Sequence, residues 1–454
     1  MISRMVIFGA TGDLTARLLL PAVAHLVESD ALSSDIRILG SAVEPWSVEK
    51  FREHIARALD AHAAQVSPAA RQQVVDMLDY RPSDVTDPAD VAAIIGTANG
   101  STLVYLALPS GLLEAALTAL ASADLGSEDA VAIEKPFGTD LASAQRLNAL
   151  LASGLSAPTI FRIDHFLSNE LVRRIVALRF ANQVFEPIFN AHHVERVDIS
   201  WLESLTLEGR AGYYDRAGAL KDMLQNHLME AMSLVAMEEP ARLDAVSFRN
   251  SRVEALRNIT TPTLADIQAG TIRARYTAGT IGDRQVPAYV DEPGVDPARG
   301  TETYAAITLS LQNRRWAGVP FTLRSGKSMP ADTAEIAIHF RPLPPHLFDL
   351  NVDLPANVLR IGLMEPYVRL DTTINGSDSQ LVQQELEMLS PQPQRSAYAN
   401  LILEMCHNRP TLFIRGDEAE EAWRIIDPIA HAWAEDKVPM QSYPAGQAPP
   451  ATPA

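Results

Sequence analysis

The chain has 454 residues, of which 47% are hydrophobic and 21% charged, and it is long enough to bury two substantial cores. A formal net charge of -18 speaks against nucleic acid and anionic membrane as partners, because both call for a basic face. One cysteine, Cys406, excludes an intrachain disulfide and a cysteine-built zinc site; no metal is expected. With no apolar export segment ahead of the first strand and no run long enough to cross a bilayer, a cytoplasmic protein is expected.

The first predicted strand is Met5 to Phe8, followed by Gly9-Ala-Thr-Gly12-Asp13-Leu14 and a helical stretch from Leu18 to Ser29. Strand, glycine turn and helix form the context of a dinucleotide-binding loop. Gly9 permits the turn and Gly12 lets a pyrophosphate approach the backbone, while the helix N-terminus offers N–H groups to the anion. Thr15 stands where the third glycine of the fingerprint belongs. Ile36 to Gly40, Leu103 to Leu108 (ending at Pro109) and Ala130 to Ile133 read as further strands. Their alternation with helices predicts a Rossmann-like, doubly wound parallel sheet over residues 1–165.

Beyond Pro158 the pattern changes. Glu170 to Asn182 reads as a helix, Val194 to Leu202 as a strand, and Leu220 to Met237 as one long helix. Strand-like runs follow at Ile272 to Tyr276, Tyr304 to Leu311, Phe321 to Leu323, Ile336 to Phe340 and Val358 to Leu363, then helices at Asn400 to Cys406 and Glu418 to Trp433. Residues 166–442 are thus expected to form an α+β domain with a large, mainly antiparallel sheet and helices on one face. The Pro- and Ala-rich end, 443–454, reads as disordered.

Two segments concentrate chemistry. Arg162 to Glu170 reads R-I-D-H-F-L-S-N-E, and Gly209 to His227 reads G-R-A-G-Y-Y-D-R-A-G-A-L-K-D-M-L-Q-N-H. They bring carboxylates Asp164 and Asp222 and imidazoles His165 and His227, groups suited to moving a proton and holding a polyol.

Together with G-A-T-G-D-L at Gly9 to Leu14, Y-L-A-L-P at Tyr105 to Pro109, E-K-P-F-G at Glu134 to Gly138, E-P-G-V-D-P at Glu292 to Pro297 and R-W-A-G-V-P-F-T-L-R-S-G-K at Arg315 to Lys327, these segments resemble the glucose-6-phosphate dehydrogenase family. The resemblance implies an oxidoreductase that takes C1 of a hexose to the lactone and passes a hydride to NAD or NADP. His227 would be the base and Asp164 its orienting carboxylate. Lys135, His165, Glu203, Asp222 and Lys327 would hold the sugar. Gly9, Thr11, Gly12, Asp13, Leu14, Pro109 and Lys135 would line the coenzyme. The resemblance also implies a homodimer, or a dimer of dimers, through the broad second sheet, and a Lys135-Pro136 bond that is typically cis.

Several positions depart from the family pattern. Phe166 and Asn169 replace the tyrosine and lysine that grip the 6-phosphate, Ala16 replaces a substrate-side lysine, and Ala331 stands where another lysine is common. Charge-assisted hydrogen bonds to phosphate contribute roughly 1.5–3 kcal/mol each, so their loss predicts a sugar that is unphosphorylated or altered at C6. Arg173 and Arg174 offer relocated cations. An authentic glucose-6-phosphate 1-dehydrogenase and a catalytically retired assembly paralogue are the two alternatives. On the coenzyme side, Val43-Glu44 stands in place of an arginine that binds the 2′-phosphate of NADP. Glu44 is suited to accept from a free ribose 2′-hydroxyl, which predicts NAD, with NADP as the second coenzyme.

Overall fold

In the computed structural model the described residues are 2–96, 100–155, 158–166, 170–342, 355–376, 381–389 and 395–450. They fall into two compact units. The first comprises Met1–Asn169, Arg242–Arg249 and Pro393–Glu420, and the second Glu170–Ala241, Asn250–Gln392 and Glu421–Ala454. The chain therefore returns twice to its N-terminal unit, which the continuous boundaries read from sequence do not contain.

The first unit is built on β1 (Arg4–Phe8), β2 (Arg37–Ala42), β3 (Leu78–Pro82), β4 (Thr102–Leu106), β5 (Ala130–Glu134) and β6 (Thr159–Ile163). They pair side by side in the order β3-β2-β1-β4-β5-β6, every pair parallel. Val6, Val104, Tyr105 and Val131 are fully buried, as expected of strands covered on both faces. The order reverses between β1 and β4, the switch point at which doubly wound sheets bind ligands. β3 (LDYRP) escaped the sequence reading because only Leu78 and Tyr80 are buried. The helix Ala397–Cys406, from the returning segment, packs against the helix Leu20–Glu28.

The second unit carries β7 (Val194–Leu202), β8 (Thr271–Thr277), a small hairpin of β9 (Gly279–Ile281) and β10 (Arg284–Val286), then β11 (Tyr304–Ser310), β12 (Pro320–Gly326), β13 (Thr333–Phe340), β14 (Val358–Gly362), β15 (Tyr367–Asn375), β16 (Leu381–Leu389) and β17 (Met440–Pro444). Nine of them form one sheet in the order β16-β15-β14-β13-β7-β12-β11-β8-β17. Only β7/β12 and β8/β17 run parallel, so the sheet is mainly antiparallel as the sequence predicts. β15 and β16 were not read from the sequence. β16 has no buried face that alternation could reveal.

Two expectations are corrected here. The end of the chain is not disordered from 443: β17 pairs with β8, and Tyr443 and Ala445 are buried. Proline and alanine there are compatible with an edge strand, and one large aromatic side chain supplies the burial that composition hides. The helix expected over Leu220 to Met237 is two pieces, a π-helix Leu220–Leu228 and an α-helix Met229–Ala236. Residues 451–454 lie outside the described ones. Among the described residues no helix is long and apolar enough to cross a membrane.

Candidate active site

The glycine loop follows β1. Gly9 has φ +80°, and a Cβ there would collide with the Ala107 carbonyl after β4, so both the conformation and the space require glycine. Its N–H and that of Ala10 both donate to the Ser41 carbonyl (2.8 and 3.1 Å), tying the loop to β2. The Thr15–Leu19 turn that follows is π-helical, with Thr15 fully buried in the place of the missing third glycine. Leu14 packs against the unit's core, whereas Asp13 forms an exposed pair with Arg17 and Pro109 is exposed.

At the end of β2 the chain turns through Val43, 70% exposed, to Glu44. The Thr11 hydroxyl donates to a Glu44 carboxylate oxygen (2.9 Å), and the Tyr80 hydroxyl to the Glu44 carbonyl (2.7 Å). Burial and the neighbouring Glu44 push the Tyr80 phenol up to about 12, so it remains a donor. Glu44 is thereby fixed beside the glycine loop. A backbone that admits close approach at the switch point of the sheet fits a nicotinamide dinucleotide.

Lys135 follows β5, with a cis Lys135-Pro136 bond as the resemblance implied. Its neighbour Glu134 accepts hydrogen bonds from the hydroxyls of Tyr105 (2.5 Å) and Tyr398 (3.3 Å). The β5/β6 register sets Glu134 opposite Ile163, one residue before Asp164. Asp164 is 1% exposed and accepts the Phe166 N–H (2.9 Å). His165 stacks on Tyr398 with ring centroids 6.1 Å apart. The first unit thus gathers Lys135, Asp164 and His165 around the Glu134 carboxylate and the hydroxyls of Tyr105 and Tyr398, to which the sequence reading gave no role. Glu134 and Tyr105 open the motifs E-K-P-F-G and Y-L-A-L-P, which were the signal for them.

Burial pushes the Glu134 carboxyl up to about 7, the charge of Asp164 adds to this, and the two tyrosine hydroxyls and Lys135 oppose it. Between the ordinary carboxyl value of 4.5 and about 7 the folded protein holds a proton there that the unfolded chain lacks. Its stabilising contribution is complete below about 4.5 and is lost as pH rises through about 7. Glu134→Gln keeps an acceptor for the tyrosines and does not ionise. Its melting temperature relative to the parent is expected to climb across that window, and thermal melts at pH 4.5, 6 and 8 check it. A difference independent of pH would count against the buried titration.

The Phe166 side chain is buried, 2% exposed. Asn169 lies outside the described residues.

The second unit assembles the remaining residues. Glu203, just past β7, accepts a 2.8 Å ion pair from Lys327, just past β12; the two strands are parallel neighbours. The Glu203 N–H donates to the Gly326 carbonyl (2.9 Å) and the Met329 N–H to the Glu203 carbonyl (2.9 Å), so this corner is fixed by backbone as well. Lys327 also lies over the Tyr214 ring, 5.2 Å from its centroid. Burial, and then the charges of Glu302 and Asp222, hold the Tyr214 phenol well above its usual range. The Tyr213 hydroxyl donates to Asp222 (3.1 Å).

Asp222 and His227 share the π-helix, which packs on β7, β11 and β12. Five residues apart on an α-helix would put them roughly 140° apart around the axis. In π geometry the hydrogen bond runs from i to i+5, so His227 lies about one turn beyond Asp222 on much the same side. Arg174 is committed elsewhere: its guanidinium donates to the carbonyls of Gly362 (2.7 Å) and Glu365 (3.2 Å), which removes it as a relocated phosphate cation. Arg173 on the same helix is exposed. A cavity of about 650 Å³ among Arg179, Glu186, Glu238 and Arg315 contains none of the predicted residues.

Comparison with known proteins places this arrangement. Residues 6–174 match the family model described as glucose-6-phosphate dehydrogenase, NAD binding domain, and residues 176–453 the one described as glucose-6-phosphate dehydrogenase, C-terminal domain. The chain belongs to the glucose-6-phosphate dehydrogenase family. It is 38% identical to the glucose-6-phosphate 1-dehydrogenase of Treponema pallidum over 97% of this chain and 91% of that one. Its identity to the Zymomonas mobilis enzyme of the same name is 34%, over 99% and 96%. A solved glucose-6-phosphate dehydrogenase in complex with its substrate glucose-6-phosphate superposes with a TM-score of 0.90 at 27% identity, over 99% of this chain and 96% of that one. The chain is an oxidoreductase with a nicotinamide coenzyme-binding domain. These relatives do not support the changed substrate expected from the departures. They favour the alternative, an authentic member.

Proposed function

We propose that this chain is a glucose-6-phosphate 1-dehydrogenase, cytoplasmic and assembled as a homodimer or a dimer of dimers. The observation that carries the chemistry is the Glu203–Lys327 pair beside Tyr214, with Asp222 on the helix that also bears His227. Carboxylates are acceptor-only groups, suited to sugar hydroxyls, and an imidazole suits proton removal near neutral pH. On the family pattern His227 takes the C1 hydroxyl proton and Asp164 stabilises the charged ring, while His165 and Lys135 help to hold the sugar. A bound nicotinamide supplies the hydride acceptor.

The names and coverage of the relatives favour glucose 6-phosphate as the sugar. Phe166 weighs less against a phosphate than the sequence suggested, because a buried ring says nothing about the lining of an open site. His165, Lys327 and the exposed Arg173 are the cationic candidates for the phosphoryl end. Steady-state assays at 340 nm test the reading: kcat/KM for glucose 6-phosphate of about 10⁴ M⁻¹s⁻¹ or more is expected. A value a hundredfold below that for free or C6-modified glucose would restore the changed-sugar reading, and no turnover of any hexose would favour the retired paralogue.

NAD is expected to serve at least as well as NADP. Val43 offers nothing to a 2′-phosphate, and the Glu44 carboxylate held at Thr11 would repel it. A preference for NADP above about tenfold, or ~1.4 kcal/mol, would refute this. Val43→Arg combined with Glu44→Gln is expected to shift the ratio of kcat/KM values toward NADP. The oligomer rests on the family resemblance, and a monomer by light scattering at micromolar concentration would overturn it.

A further inference from the structure

The helix Leu220–Leu228 carries Asp222 as its third residue and His227 near its end, and its π register is what turns the two toward one side. π-helical stretches are rare and appear mostly as single-turn insertions in α-helices, so something must hold this one. Its own sequence supplies little: the residue before it, Ala219, gives no side-chain cap. Immediately upstream, Gly218 breaks the preceding helix with φ 66° and ψ 175°. Into that break reaches the carboxylate of Glu302, which accepts the Leu220 N–H at 2.9 Å. A Cβ at Gly218 would collide with the same carboxylate, so the glycine is what admits it.

Glu302 is itself fixed from both sides. The Thr301 hydroxyl donates to the Asp215 carbonyl (2.7 Å), and the Thr303 N–H to the Ala274 carbonyl on β8 (2.8 Å). The Thr303 carbonyl accepts the N–H of Lys327 (3.0 Å). One short segment therefore ties the first turn of the helix to the strand end that presents Lys327. Burial pushes the Glu302 carboxyl up to about 6, opposed by the Leu220 N–H and by Arg273 and Lys221. A buried carboxylate so placed is costly unless its hydrogen bonds are made.

We infer that Glu302 is a positioning residue for the oxidation, its carboxylate holding the first turn of the Leu220–Leu228 helix in the π register that aligns Asp222 with His227. This rests on the roles proposed for Asp222 and His227. Without the anchor the first turn is free to tighten to α geometry, which rotates Asp222 away from His227 while leaving the glycine loop, which belongs to the other unit, untouched.

The test compares Glu302→Ala, Glu302→Gln and Glu302→Asp in the full-length protein, on whichever hexose the parent oxidises. Glu302→Ala is expected to lower kcat at least thirtyfold, with the Kd for coenzyme unchanged within twofold by fluorescence titration. Glu302→Gln retains a carbonyl acceptor for the Leu220 N–H and is expected to hold kcat within threefold. Glu302→Asp keeps the charge but falls one methylene short, so it is expected to be slower than Glu302→Gln. That order remains readable should Glu302→Ala not fold. A kcat for Glu302→Ala above a third of the parent, or Glu302→Asp faster than Glu302→Gln, overturns the inference. Failure of the proposed catalytic roles would show separately, as a His227→Asn variant that keeps its turnover.

Discussion

His227→Asn is expected to lower kcat by about 10²–10⁴ while leaving KM for the sugar within a few fold. Oxidation of a hemiacetal carbon releases a hydride and a proton. The hydride has an acceptor in the nicotinamide, but the proton needs a base at the reacting hydroxyl. Asparagine approximates the size and polarity of the imidazole and has no basic nitrogen near neutral pH. His227 is buried, so a near-isosteric replacement is needed, and asparagine leaves the Leu220–Glu302 anchor and the apolar packing of Leu220, Leu224 and Leu228 in place. Glu203, Asp222 and Lys327 remain to hold the sugar, which is why the loss should fall on kcat. Measuring both constants on the sugar that the parent prefers decides it. A variant that keeps more than a tenth of the parent kcat would show that another group takes the proton.

The sequence made some parts of this molecule legible and hid others for physical reasons. β1, β5 and β7 were readable because burial on one or both faces writes a continuous or alternating apolar pattern. The site residues Lys135, Asp164, Asp222, His227 and Lys327 were readable because family motifs surround them. The π register of the Asp222 helix was not, since apolar spacing in LKDMLQNHL does not separate 3.6 residues per turn from a wider helix. Tyr398 was also hidden: it reaches Glu134 from 264 residues away, through a segment that returns to the first unit. The burial of Phe166 was not legible either, because its segment was read for its chemistry and not for apolar spacing.

Tyr443 carries the last consequence, because it makes the Pro- and Ala-rich end of the chain part of the site's foundation. The side chain is 2% exposed and packs edge-on against Tyr276 and Tyr304, with centroids 6.5 and 6.2 Å away. Its hydroxyl donates to the Lys327 carbonyl (2.7 Å) and shares a 3.0 Å hydrogen bond with the Thr303 hydroxyl. Burial holds the phenol above its usual range, so it stays protonated and able to donate. Truncating a buried aromatic to alanine costs about 3–5 kcal/mol, and the orphaned carbonyl of Lys327 adds about 1–3 kcal/mol. Tyr443→Ala is therefore expected to lower the melting temperature by roughly 10–30 °C, taking about 2–4 °C per kcal/mol for a unit of this size. Tyr443→Phe keeps the ring and loses only the hydroxyl. It should melt roughly 2–12 °C below the parent yet raise KM for the sugar, since the freed carbonyl belongs to the residue that pairs with Glu203. Calorimetry and steady-state kinetics on both variants separate the two effects. If Tyr443→Ala melted within about 2 °C of the parent, the tail would be as dispensable as its composition suggests, and the strand β17 would contribute nothing to holding Lys327 in place.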